Sequence, residues 1–167
     1  MRTLFVDVDG VLADSRHRLV KFSHQGKLLP MAFFEGSMLE DRVIQSAQSA
    51  LWLFLKAGWH VCALTSRDFD LDGRITGAWL KTKGFPILNQ ICVVQRAEAK
   101  SLFLQQNAQE NDLFVDDFMG GYETGLPKFV NHVYDACRRV VRTEVFRNNW
   151  PEIVERYTGV KIDVRAI

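Results

Sequence analysis

Short apolar runs that stop abruptly at polar residues, with helix-like segments between them, constrain this chain more than any other feature of its sequence. Residues 3–8 form an apolar run ending in acids, 60–64 stop at Thr65-Ser66-Arg67, 90–94 are a third run, and 113–115 stop at Asp116-Asp117. Short runs of this kind predict strands buried on both faces. Residues 131–134 are a candidate fifth strand. Between the first two runs, residues 42–57 place Val43, Ile44, Ala47, Leu51, Phe54 and Leu55 on one helical face, with Gly58 following the last turn. Residues 74–83, stopped by Gly84, and 98–109 read as two further helices. The alternation predicts an α/β fold: a Rossmann-like three-layer α/β/α arrangement around a mainly parallel sheet.

At 167 residues the chain suits a single domain. Residues 13–40 lack a clean period and read as a small cap or insert with one short helix. Residues 137–167 read as a C-terminal extension without an assigned role. Within it, Asn149-Trp150-Pro151-Glu152 opens a helix expected to run to Tyr157, before Gly159. Trp52, Trp59, Trp79 and Trp150 are expected in the core or at its edge. Cys62, Cys92 and Cys137 fit neither a disulfide framework nor a zinc pattern, and read as small buried hydrophobes in a reducing compartment. No apolar run approaches the roughly 20 residues that span a bilayer, and a cytoplasmic location is expected, with no membrane association and no obligate protein partner. The net charge of +1 excludes a global field for nucleic acid, so a phosphorylated partner has to be held by local groups.

In an open parallel sheet, ligands bind beyond the carboxyl ends of the strands. That edge would collect Asp7 and Asp9 from the first strand, Thr65, Ser66 and Arg67 from the second, Asp116 and Asp117 from the fourth, and Lys100 from the first turn of the helix after the third. Four close carboxylates cannot all ionise without a cation. A hard ion with oxygen ligands answers this, and magnesium suits it best. The remaining groups suit phosphoryl transfer, which rests on positioning and charge neutralisation. A carboxylate nucleophile would divide such a reaction into two easier steps through an aspartyl-phosphate.

These residues, in this order, resemble the haloacid dehalogenase superfamily of phosphatases. Asp7-Val8-Asp9-Gly10-Val11-Leu12 resembles its first motif, Thr65 after Val61-Cys62-Ala63-Leu64 its second, Lys100 its third, and Asp116-Asp117 after Leu113-Phe114-Val115 its fourth. The resemblance covers roughly residues 3–120. It implies that Asp7 attacks phosphorus and that Asp9 protonates the leaving oxygen, then activates water. Asp7, the Asp9 backbone carbonyl, and Asp116 or Asp117 would hold magnesium, while Thr65 and Lys100 hold phosphoryl oxygens. Within the superfamily, the chain looks most like the 3′-phosphatase domain of phage polynucleotide kinase and its stand-alone relatives. Leu64-Thr65-Ser66-Arg67 resembles their serine-glycine-arginine segment, and Ala13-Asp14-Ser15-Arg16-His17-Arg18-Leu19 resembles the stretch after their first motif. Ala32-Phe33-Phe34 and the acids that follow also fit. Those relatives commonly carry an arginine after the acidic pair, where this chain has Phe118-Met119-Gly120-Gly121. Their kinase half has no counterpart in these residues, so kinase activity is not expected.

The expectation is therefore a magnesium-dependent phosphomonoester hydrolase acting on a small phosphorylated substrate, of nucleotide type or an oligonucleotide end. A phosphatase of another metabolite such as a sugar phosphate, and a non-catalytic phosphate-binding or regulatory protein, are the alternatives. Several roles stay open. Thr65 and Ser66 compete for one position, and Lys81 and Lys83 are rivals to Lys100. Arg67 binds substrate or a lid, or else pairs with Asp68 or Asp70. His17 and Arg18 either reach the site from the insert or cap it. Phe33 and Phe34 are read as packing the insert. Arg138, Arg139, Arg142 and Arg147 are read as a solvated basic face.

Overall fold

The computed structural model describes residues 1–21, 23–24, 27–28, 35–67, 69–120, 128–129, 140–142 and 149–163. The elements run β1 (Thr3–Val6), β2 (Ala13–Asp14), α1 (Arg16–Lys21), β3 (Ser23–His24), β4 (Lys27–Leu28), α2 (Glu35–Leu39), β5 (Arg42–Val43), α3 (Ala47–Lys56) and β6 (His60–Ser66). They continue with α4 (Arg74–Thr82), β7 (Gln90–Val94), α5 (Ala99–Asn107), β8 (Leu113–Asp116), β9 (Met119–Gly120), β10 (Lys128–Phe129), β11 (Val140–Arg142) and α6 (Trp150–Thr158).

Five strands form one sheet in the order β11-β8-β1-β6-β7. Every pairing in it is parallel. From β1 the chain winds to β6 and β7 on one side, then crosses back to β8 on the other. The topological switch point therefore lies between β1 and β8, where open α/β sheets place their ligand crevice.

Alternation along the strands divides the core into two layers. Leu4, Val6, Val61, Ala63, Leu113 and Val115 face one side and pack with Leu51 and Phe54 of α3, Trp79 and Leu80 of α4, and Ile153 and Val154 of α6. Phe5, Cys62, Leu64 and Phe114 face the other side and pack with Leu104 of α5. The three-layer α/β arrangement matches the expected fold class.

Several boundaries differ from the sequence reading. The helix expected from residue 42 begins at Ala47. Residues 42–43 instead pair antiparallel with β2, and the Ile44 amide donates to the Leu12 carbonyl at 2.9 Å. Tertiary pairing of the β-branched Val43 and Ile44 thus overrides their helical spacing. Among its described residues the insert contains two short helices, α1 and α2, and the antiparallel pair β3–β4, where one helix is expected. Of residues 137–167, β11 extends the main sheet beside β8, and α6 buries Trp150, Ile153 and Val154. Helix α6 begins beside Pro151 and ends at Gly159 in the left-handed region (φ 75°), as the sequence predicts. Trp59, Trp79 and Trp150 are buried, whereas Trp52 is half-exposed on α3. Cys62 and Cys92 are free thiols on adjacent strands. Cys137, Phe33, Phe34, Asp68, Arg138, Arg139, Arg147, Gly121 and the strand expected at 131–134 lie outside the described residues. Among the described residues, no helix is long and apolar enough to cross a membrane.

Candidate active site

The carboxyl ends of β1 and β8 bring Asp7 and Asp116 to the switch point. Register pairs Phe5 with Phe114 and Val6 with Val115, and the Asp7 amide donates to the Val115 carbonyl at 2.9 Å. Beyond Asp9 the chain must turn at once. Gly10 takes φ 81°, a left-handed conformation that glycine adopts without penalty. The Leu12 and Ala13 amides then close back on the Val8 carbonyl at 2.9 and 2.8 Å. Trp150 braces this turn from α6, donating from Nε1 to the Val11 carbonyl at 3.0 Å.

Asp7, Asp116 and Asp117 are all buried, and each offers a carboxylate oxygen within 4.8 Å of the other two. Lys100, 1% exposed, reaches them from the first turn of α5. Its Nζ lies 2.9 Å from Asp7 Oδ1 and 2.7 Å from Asp116 Oδ2. Burial pushes the Asp7 carboxyl up to about 7; Lys100 opposes the shift, and the Asp116 charge adds to it. Three buried carboxylates clustered about the Lys100 ammonium repel one another, which is the condition that a divalent cation relieves. The donor set is entirely hard oxygen, which suits magnesium rather than a thiophilic or imidazole-seeking metal. These residues therefore fit the ion. The other Asp116 oxygen, Oδ1, accepts the Phe118 amide at 2.6 Å. Phe118 sits at φ 59° and packs into the α5 layer. The position that carries an arginine in the resembling phosphatases is thus used here for a tight turn and core contact.

Asp9 has different surroundings. Arg67 approaches it side-on, Nε to Oδ2 at 2.9 Å and Nη2 to Oδ1 at 3.0 Å. Arg18, from α1 of the insert, donates from Nη2 to Oδ1 at 2.5 Å. Burial would favour the neutral acid, but Arg67 and then Arg18 outweigh it and hold the Asp9 carboxyl well below the usual carboxylate range. Arg67 is itself buried, and its Nη1 donates to Thr76 Oγ1 at 2.9 Å. Thr76 lies on α4, whose first turn is capped by Asp70: the Ile75 and Thr76 amides each donate to that carboxylate at 2.8 Å. The Asp70 carboxylate therefore serves the helix, and the Arg67 guanidinium is linked to it through the Thr76 hydroxyl, which donates to Asp70 Oδ2 at 2.6 Å.

Register sets Thr65 one residue beyond the level of Asp7, buried at the carboxyl edge, and Ser66 ends β6 half-buried. Lys81 is exposed and Lys83 half-buried on the far part of α4, whereas Lys100 is in contact with the acids. Arg18 enters the site. His17 lies to one side, with Nε2 3.1 Å from the Ser37 carbonyl and Nδ1 3.6 Å from Asp41 Oδ1. Asp41 escaped the sequence reading. It is fully buried and accepts Arg18 Nε at 2.9 Å and Nη2 at 2.8 Å. Leu39-Glu40-Asp41-Arg42 looks like an ordinary charged surface turn, so nothing local marks this acid.

No protein-family profile and no curated protein sequence matches this chain. Solved structures do. A predicted phosphatase from Clostridium acetobutylicum superposes with a TM-score of 0.57 at 12% identity, over 95% of this chain and 99% of that one. D,D-heptose 1,7-bisphosphate phosphatase from Burkholderia thailandensis gives 0.48 at 11% identity, over 92% and 99%. The first similarity shows a shared fold.

Proposed function

We propose that this protein is a magnesium-dependent phosphomonoester hydrolase that works through an aspartyl-phosphate on Asp7. The observation that carries this reading is the convergence of Asp7, Asp116, Asp117 and Lys100 at the switch point between β1 and β8. The similarity in fold to a predicted phosphatase supports it. Asp7, Asp116 or Asp117, and the Asp9 carbonyl would hold the ion. When bound, magnesium would ionise the carboxylates and neutralise charge on the phosphoryl oxygens. Asp7 then presents a desolvated carboxylate to phosphorus, and Lys100 offers its ammonium both to Asp7 and to a phosphoryl oxygen. Thr65 supplies a hydroxyl at the same edge. Asp9, steered by Arg67 and Arg18, takes a proton from the attacking water in the second step; the proton so gained is the one it gives to the leaving oxygen of the next substrate, retained against the pull of both arginines.

The substrate is proposed to be a nucleotide or a nucleic-acid terminal phosphate, on the strength of the likeness to polynucleotide 3′-phosphatases. Arg67 and Arg18 occupy the matching segments, and the exposed side chains of Phe69 and Leu71 follow Arg67 in the loop at the carboxyl edge. An aryl phosphate assay on wild type and Asp7→Asn, with and without magnesium, tests the chemistry. Metal-dependent phosphate release by wild type and its loss in Asp7→Asn are expected. Equal rates in the two proteins would overturn the mechanism, and no release under any condition would favour a non-catalytic phosphate-binding role. A panel of 5′-mononucleotides, 3′-phosphorylated oligonucleotides and sugar phosphates tests the substrate class, and a preference for sugar phosphates would replace it.

A further inference from the structure

Both arginines on Asp9 trace back to helix α4. Arg67 is tied to it through Thr76 Oγ1. Arg18 is tied to it through Asp41, whose backbone carbonyl accepts Trp79 Nε1 of α4 at 3.1 Å. The Asp41 amide donates to the Met38 carbonyl at 3.1 Å, so this residue is held through both its N–H and its carbonyl. Its carboxylate then takes two nitrogens of Arg18 in a bidentate grip, and one of them, Nη2, continues to Asp9. A planar guanidinium held at two points has a defined direction, whereas an arginine held at one atom keeps much of its rotamer freedom. Burying an ion pair adds little net stability compared with apolar packing. The gain at this position is direction.

We propose that Asp41 is a positioning residue for the reaction: it aims Arg18 so that Arg18 and Arg67 together fix the Asp9 carboxylate against the leaving group. The inference rests on the phosphatase reading above and adds to it a residue that touches neither substrate nor metal. A 4-nitrophenyl ester departs readily without a proton, whereas an alkyl phosphate such as glycerol 2-phosphate needs one. Loss of aim at Asp9 therefore harms the second reaction more than the first, while general loosening of the fold harms both alike.

The test compares kcat on the two esters for wild type, Asp9→Asn and Asp41→Asn, with magnesium present. General acid catalysis contributes about 100- to 10,000-fold. Asp9→Asn sets the full discrimination, and Asp41→Asn is expected to lose about tenfold or more on the alkyl ester beyond its loss on the aryl ester. Equal losses on both esters, or no loss on either, overturn the proposal. Should Asp41→Asn fail to fold, Trp79→Phe removes the hydrogen bond to the Asp41 carbonyl and is expected to show the same bias at smaller size; its absence counts against the proposal. If wild type hydrolyses neither ester, the phosphatase reading fails on its own. A crystal structure of Asp41→Asn then decides the positioning claim: Arg18 still within hydrogen-bond distance of Asp9 refutes it, and a displaced Arg18 upholds it.

Discussion

Replacing Lys100 with methionine separates the proposed cation site from ordinary packing. Methionine fills most of the lysine stem, so the main loss is the ammonium. Lys100 is 1% exposed and sits 2.9 Å from Asp7 and 2.7 Å from Asp116. Removing one member of a buried charge pair leaves the other uncompensated, which costs about 3–5 kcal/mol. For a chain of this size each kcal/mol is worth about 2–4 °C in Tm, so a drop on the order of 10 °C is expected in chelator. The deficit carries a pH signature. Asp7 titrates near 7 when folded, against an ordinary value of 3.8. Folding therefore takes up a proton between those values, and stability falls as pH rises through that window. Loss of the ammonium raises the folded value further, so the deficit of Lys100→Met is largest above pH 7 and shrinks toward pH 5. A ligand at a hundredfold excess over its Kd adds about 2.7 kcal/mol. Magnesium at that excess should raise the Tm of Lys100→Met by more than it raises that of wild type, because it then stands in for the ammonium lost beside Asp7 and Asp116. Calorimetric melts at pH 5.5, 7 and 8.5, in chelator and in millimolar magnesium, read all three effects. A Tm drop that neither depends on pH nor responds to magnesium would reduce Lys100 to a packing residue and remove the charge argument for the metal.

Three further outcomes follow from the same contacts. Asp9→Asn should destabilise the fold at neutral pH, because the lowered Asp9 pKa gives stability that is present above the ordinary value of 3.8 and lost only as pH falls below it; urea titrations from pH 7 to pH 3 should show a constant deficit that shrinks below about pH 4. Asp70→Ala removes the carboxylate that caps α4 and should cost about 1–2 kcal/mol by equilibrium denaturation; it should also lower turnover, since it frees the Thr76 hydroxyl on which Arg67 rests. Trp150→Phe keeps the apolar body but loses the bond to the Val11 carbonyl, and a loss of about 1 kcal/mol is expected, with slower turnover as the turn after Asp9 loosens; full stability and activity in this variant would show that α6 does not brace the site.

The sheet was legible in the sequence because its central strands are buried on both faces and so read as unbroken apolar runs. Their polar ends were legible for the same reason: an acid such as Asp7 or Asp116 directly after such a run has nowhere to lie but the carboxyl edge. Lys100 was readable from its place in a first helical turn, where a cation is otherwise disfavoured. What escaped notice depends on pairing over long sequence distance. Arg18 and Asp41 are 23 residues apart, and Asp9 and Arg67 are 58 apart. Neither partner carries a local sign of the other. The early start assigned to α3 failed in the same way, since β2 supplies backbone partners for residues 42–44 that no window around those residues contains.

The charge pattern explains how two aspartates two residues apart can take opposite roles. On the Asp7 side, Asp7, Asp116 and Asp117 gather around the Lys100 ammonium, a buried acid-rich cluster suited to a divalent ion. On the Asp9 side, Asp9 and Asp41 meet Arg18 and Arg67, and the formal charges cancel. On the proposed reading an ion would be directed to Asp7 and away from the Asp9 side chain, which would leave that carboxyl for proton transfer. A phosphate monoester dianion entering beside a bound Mg²⁺ would meet the ion's charge on one flank and a neutral, donor-rich cluster on the other. The division also sets an order of sensitivity. Changes at Asp116, Asp117 or Lys100 should alter metal dependence for every substrate. Changes at Arg18, Asp41 or Arg67 should leave metal dependence in place and alter the response to leaving group, a contrast readable by titrating magnesium against each of two esters.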